Sequence, residues 1–456
     1  MIKKQRLKRP LEMEDIDSES GNAGNPVQSD HRRGLDRRRM LKTTAGGTVS
    51  LSFAGCLETA GSIVTGAEAD PVTVGVLAPN PDSNATGRSI VEGARIARNQ
   101  LEDNGGIDGK DVELVVGDTN SSPLEARRQY QRLVLEDGAD VTIGVATSEA
   151  LIALMDDIAE QQVPHLTAGA ATTAASRLVN EQYEKYKYHF RVGPINDVNL
   201  GETQVDFLAD MGSQIGWESV AILVEDYEWT KNLWDIYQNQ LGGAAVDVAM
   251  SQRYPPATDS FSTIYDEVER SGADAAIISA AHTGTDAVLD WGPAGRKFAF
   301  GGIHVPMQLS SYYGMVNGAC RYAIGVAFAT PESKITDKTQ PFLETYQRRN
   351  DGTAPVYTGY ISFDAVKLFA KAVEAAGTLD SDELVNELEG ISATGTTGTI
   401  EFHDPDHEHA HDVIYGKENI HPLYYQWREA DDGTGVQKTI WPDIYETTDY
   451  VDPAWL

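Results

Sequence analysis

Val72–Leu77 (VTVGVL), Gly87–Leu101 (GRSIVEGARIARNQL), Asn104-Gly105-Gly106 and Val112–Val116 (VELVV) follow one another, and their order sets the fold class. The first is a short, mostly β-branched run of the kind that forms a strand buried on both faces. In the second, Ile90, Ala94 and Ala97 share one face of a 3.6-residue helix. The glycines supply the left-handed backbone that stops it, and a second apolar run follows. Strand, helix, glycine stop and strand make one βαβ unit of a parallel sheet.

The same alternation continues outward. Helix Pro123–Leu135, strand Val141–Val145, helix Glu149–Ala159 and a fourth strand near Pro164–Leu166 extend the first set. A second set runs through Val220–Val224, Lys231–Gln240, Val246–Met250, Ser262–Ser271, Ala275–Ile278 and Phe298–Gly302. With 456 residues the chain exceeds what one core usually supports. The expected fold is therefore α/β with two lobes. No Gly-x-Gly-x-x-Gly closes a strand and no phosphate-loop lysine follows a glycine run, so nucleotide and dinucleotide sites lack their glycines. Two such lobes without a cofactor fingerprint suggest a clamp, and no cofactor is expected.

The formal charge is -32, from 69 acidic and 37 basic residues. A surface of that sign repels phosphate backbones, which argues against nucleic-acid binding. With 41% hydrophobic residues the chain is too apolar for disorder, so the acid reads as the hydrated surface of a halophile's protein. The two cysteines, Cys56 and Cys320, exclude a disulfide framework and a four-cysteine metal site. The sequons at Asn84 and Asn120 are compatible with glycosylated loops outside the cell.

Residues 1–36 are polar and aperiodic and are expected to be disordered. Arg37-Arg38-Arg39-Met40-Leu41-Lys42, a weakly apolar Thr43–Ala54 and Phe53-Ala54-Gly55-Cys56 then form a pattern similar to a twin-arginine export signal ending in a lipobox (37–56). The apolar stretch is too short to span a bilayer. Such a signal implies lipidation at Cys56, anchoring at the extracytoplasmic face of the membrane, and a flexible tether over 57–70.

Gly93-Ala94-Arg95-Ile96-Ala97, Asn104-Gly105-Gly106-Ile107-Asp108-Gly109-Lys110, Val112–Val116 and Asp118 resemble the leucine/isoleucine/valine-binding, type 1 periplasmic binding protein family. Pro123-Leu124-Glu125-Ala126, Ile143-Gly144 with Ser148, Asp364-Ala365-Val366, and Gly395–Phe402 leading to His411-Asp412-Val413 extend the likeness over roughly 72–440. The resemblance implies two Rossmann-like lobes with parallel sheets, 71–194 with 328–394 and 195–327 with 395–445. They would be joined by three crossings near 194, 328 and 394. It also implies the solute-binding protein of an ABC importer, with permease subunits in the membrane as partners. The same clamp would equally serve a ligand-sensing receptor.

Ligands of open α/β sheets bind beyond the carboxyl ends of strands. The loop Val145–Glu149 offers Thr147 and Ser148 at a helix start, able to hold a carboxylate or simply to cap the helix. Ser148 aligns with the family's ligand serine. In Thr167–Thr172 the family presents a backbone carbonyl and a threonine hydroxyl, which marks Thr167, Gly169 and Thr172, the register slipping towards Thr172. Tyr227 to Trp229 fall where the family places an aromatic over the ligand, with core packing as the plain alternative. His282 and His304 end strands that face the cleft in that family, although either would also suit a surface loop. Ile303 stands where many relatives carry an acid for the ligand's ammonium group, so the expected solute is a branched-chain amino acid or another small carboxylate or amide.

His403–His411 invites a zinc or nickel reading, but Pro405 makes the run a loop, and a solvated polar segment is the reading taken. No metal is expected. Gly-x-Ser-x-Gly is absent and no Cys–His pairing can be placed, so catalysis is not expected.

Overall fold

The computed structural model describes residues 70–243 and 246–456. The expected disordered stretch 1–36, the signal with its lipobox at 37–56, Cys56 and the tether up to 69 lie outside the described residues. The described residues form one compact unit.

Its first half alternates β1 (Val72–Ala78), α1 (Ala85–Glu102), β2 (Val112–Asp118), α2 (Pro123–Leu135), β3 (Val141–Gly144), α3 (Ser148–Gln161), β4 (His165–Ala168), α4 (Ala174–Glu181) and β5 (His189–Gly193). The strands pair in parallel in the order β2-β1-β3-β4-β5. Every residue of β1 is buried, as a strand covered by helices on both faces requires. Asn84 caps α1, its side chain accepting from the Thr86 and Gly87 N–H groups.

A second parallel sheet follows, order β7-β6-β8-β9. It is built from α5 (Asp197–Met211), β6 (Ser219–Glu225), α6 (Lys231–Gln240), β7 (Asp247–Tyr254), α7 (Ser262–Ser271), β8 (Ala275–Ala280) and β9 (Ala299–His304). β10 (Ile324–Ala327) runs beside β9. The chain then returns to the first sheet through α8 (Thr339–Arg349), α9 (Tyr357–Ala376) and α10 (Ser381–Glu389). It crosses back through the short pair β11 (Ala393–Thr394) and β12 (Thr399–Ile400), and closes the second lobe with β13 (Leu423–Glu429) and β14 (Gly435–Trp441). The order β10-β13-β14 is antiparallel.

α9 is buried on nearly every face because it lies across α1 and the first sheet. The two helices touch backbone to backbone. A Cβ on Gly93 would sit 2.2 Å from the Gly359 carbonyl oxygen, so no side chain is tolerated there.

Both parallel sheets reverse winding between their second and third strands, and at such switch points the loops splay apart to leave a crevice. Among the described residues no helix is long and apolar enough to cross a membrane.

Candidate functional site

The loops after β1, β3 and β4 and those after β6, β8 and β9 meet across one cavity of about 150 Å³. That is the size class in which a benzene-sized solute fits. Neither Asp, Glu, Lys nor Arg lines it.

The first wall is made of Thr147, Ser148, Gly169 and Ala171. The β3 loop begins with strain: Val145 is β-branched yet has φ of 65°, at a cost of about 1–3 kcal/mol. It is held there by its N–H donating to Leu77 O at 2.9 Å and its carbonyl accepting the Ala170 N–H at 3.0 Å. The turn brings Thr147 to the N-cap of α3 without a side-chain capping bond. The Ser148 Oγ accepts the Thr172 N–H at 3.2 Å, which leaves its own hydrogen to donate. The Ala171 N–H has no partner among the described residues. A hydroxyl and a backbone N–H on one wall, beside the positive end of α3, match a carboxylate.

The second wall is aromatic. Tyr227 and His282 stack with ring centroids 3.9 Å apart, and Trp229 lies beside them. Trp229 and His282 are set by Glu225, the buried last residue of β6, and Tyr227 is carried by its stack on His282. Its Oε1 accepts from Trp229 Nε1 at 2.8 Å and contacts His282 Nδ1 at 2.8 Å, and its Oε2 accepts the His282 N–H at 3.0 Å. Burial opposes ionisation of Glu225, but the His282 bonds outweigh it and hold the carboxyl below its usual range. Sequence reasoning missed Glu225. Its only signal is an acid closing an apolar strand, where a solitary charge must find buried partners.

Glu149 was also missed. Its Oε1 accepts the Glu228 N–H from the opposite lobe at 3.2 Å, whereas Oε2 is buried without a partner. Burial raises its pKa.

Of the nine residues singled out from sequence, the cavity brings together Thr147, Ser148, Gly169, Tyr227, Trp229 and His282. Thr167, Thr172 and His304 do not line it. The Thr167 hydroxyl lies 3.0 Å from His189 Nε2 inside the first lobe. The Thr172 Oγ1 accepts the Ala174 N–H at 3.2 Å, so it braces the start of α4. His304 is fully buried, with Nε2 at 3.0 Å from Gly284 O, and burial lowers its pKa to about 4. Strand alternation explains this: Ile303 and Val305 face the cavity, so His304 points away from it. Gly169 contributes its carbonyl, but that oxygen already accepts the Tyr357 hydroxyl at 3.0 Å.

His403 and His407 stack at 3.9 Å, and the His407 Nδ1 accepts the His409 N–H at 3.0 Å. Among the described residues no group of three or more His, Cys, Asp or Glu could hold a metal ion.

A family model described as "Periplasmic binding protein" matches residues 71–417. Solved structures share the fold at low identity. An ABC transporter substrate-binding protein from Sphaerobacter thermophilus superposes with a TM-score of 0.69 at 19% identity, covering 83% of this chain and 99% of that one. LivJ from Streptococcus pneumoniae, a branched-chain amino acid transporter substrate-binding protein in complex with isoleucine, gives 0.65 at 17%, covering 81% and 100%. A solute-binding protein of an ABC transporter from Rhodopseudomonas palustris HaA2, in complex with p-hydroxybenzoic acid, gives 0.68 at 19%, covering 84% and 98%.

Proposed function

Given that the chain belongs to the periplasmic binding protein family, we propose that it is the solute-binding protein of an ABC importer, working outside the cytoplasm and delivering a small carboxylate to permease subunits. The observation that carries this reading is the cavity between the two sheets. One wall offers the free donors of Ser148 and Ala171, and the other offers stacked aromatic rings.

A carboxylate bonded by Ser148 and Ala171 and flanked by the α3 N-terminus replaces its lost hydration with charge-assisted hydrogen bonds. The remainder of the solute then meets Tyr227, Trp229, Ile303 and Phe328, so it is small and apolar. Thr147 and His282 border the same space and complete the binding set. The solute is a branched-chain amino acid or a carboxylate of similar size. The relatives crystallised with isoleucine and with p-hydroxybenzoic acid span both kinds. Anchoring through a lipidated Cys56 is supported by the arginine run at 37–39 and the Ala-Gly-Cys at 54–56. Adaptation to high salt is supported by the charge of -32.

A thermal-shift panel tests the reading, because a ligand bound only by the folded state raises the melting temperature. L-leucine, its des-amino counterpart 4-methylpentanoate and 4-hydroxybenzoate are the probes, with leucinamide as the control lacking a carboxylate. A shift with one or more of the three carboxylates and none with leucinamide is expected. A response to leucinamide alone would overturn the carboxylate anchor.

A further inference from the structure

Arg191, on β5, has a side chain with no exposure at all, and so has Asp412. Its Nε donates to Asp412 Oδ1 at 2.8 Å, while Nη1 donates to Ala170 O and Nη2 to Thr172 O. The carbonyl between these two, Ala171 O, accepts the Asp197 N–H at 2.8 Å. Three successive carbonyls of the loop after β4 are thus held from behind the cavity.

The amides of that loop point the other way. The Thr172 N–H reaches Ser148, and the Ala171 N–H stays free beside the cavity. A peptide group is rigid and planar. Fixing its carbonyl on one side therefore aims the next N–H on the other.

The clamp extends into the crossings between the lobes. Asp412 Oδ2 accepts from Asn196 Nδ2 at 3.0 Å. Asn196 Oδ1 caps α5 by accepting the Asn199 N–H at 2.9 Å. The Arg191 N–H donates to His411 O, and the Val413 N–H to Arg191 O. One ion pair therefore joins the ligand loop, the first crossing at 194–196 and the segment returning at 411–413.

We propose that Arg191, locked by Asp412, is the positioning residue that aims the Ala171 N–H at the solute and ties that loop to the hinge between the lobes. The part concerning the solute rests on the carboxylate reading above. The part concerning the loop does not. Placing an arginine in a dry interior is costly, and buried ion pairs are often replaceable by apolar residues of similar volume without loss of stability, so stability alone does not call for one here.

The test uses Arg191→Met combined with Asp412→Leu, which removes both charges together, and Arg191→Lys, which keeps the charge but not the fork. Hydrogen exchange of peptides covering 168–174 is measured on the ligand-free chain, with peptides from β6 and β8 as internal controls. Exchange at 168–174 is expected to rise at least tenfold in the double variant, less in Arg191→Lys, with the controls unchanged. Titration with L-leucine and 4-hydroxybenzoate is expected to show affinity falling at least thirtyfold for whichever probe the wild type binds.

Unchanged exchange at 168–174 in a folded variant overturns the proposal, as does equal acceleration everywhere, which marks a merely structural pair. If the double variant does not fold, Arg191→Lys decides by the same comparison. If the wild type binds neither probe, the carboxylate reading fails while the exchange result still decides the role of Arg191.

Discussion

Ser148 accepts the Thr172 N–H and has one hydrogen left over, so its hydroxyl is already oriented before a solute arrives. Removing it deletes a hydrogen bond to a charged group, worth about 1.5–3 kcal/mol. Ser148→Ala is accordingly expected to weaken binding of the best panel compound at least tenfold by calorimetry. The fold should lose only about 1 kcal/mol, because the Thr172 N–H is left without its acceptor. Ile303, in contrast, offers nothing to an ammonium group. The unpaired Oε2 of Glu149 is the buried carboxylate oxygen nearest in sequence to the anchor. With no acid lining the cavity, the affinity for leucine is expected not to exceed that for 4-methylpentanoate, measured by calorimetry.

α9 carries a buried acid, Asp364, whose carboxylate accepts the Thr396 N–H at 2.8 Å and the Thr396 hydroxyl at 2.6 Å. Burial nonetheless pushes its pKa up to about 7. A folded-state value above the unfolded one means a stabilising contribution that is full below the usual aspartate range and lost as pH rises through 7. Asp364→Asn should therefore stabilise the fold at pH 8 by roughly 2–4 kcal/mol, seen as a higher melting temperature, and flatten the pH dependence between pH 4 and 7. Elements with local punctuation were legible in the sequence. Pro123–Leu135, Lys231–Gln240 and Ser262–Ser271 have the bounds read from periodicity and caps. β5 was not legible, since His189 and Arg191 are polar residues buried only because β4 and the 411–413 segment supply partners. β13 and β14 were missed for a related reason: β13 pairs with β10, nearly a hundred residues earlier, and β14 is placed only by pairing with β13. At the site, the loops were legible from strand ends, whereas His304 was misjudged because one step along a strand reverses the face.

The whole molecule carries a formal charge of -32, and self-repulsion of that size destabilises a compact state. Salt shortens its reach from about 10 Å at 0.1 M to about 3 Å at 1 M. The melting temperature is expected to climb steadily between 0.1 and 2 M KCl. A flat profile would show that the acids are locally neutralised. The first lobe is completed by α9, whose contact with α1 runs through Gly93 and Gly359, more than 250 residues apart in the sequence. The second lobe likewise waits for β13 and β14. Long sequence separation slows folding because loop-closure entropy precedes the contacts that compensate it. On the ribosome, then, neither lobe can finish behind the other. The sheet of the first must stand with one flank bare until the helix at 357–376 has been synthesised, and that interval is when the nascent chain is most open to aggregation.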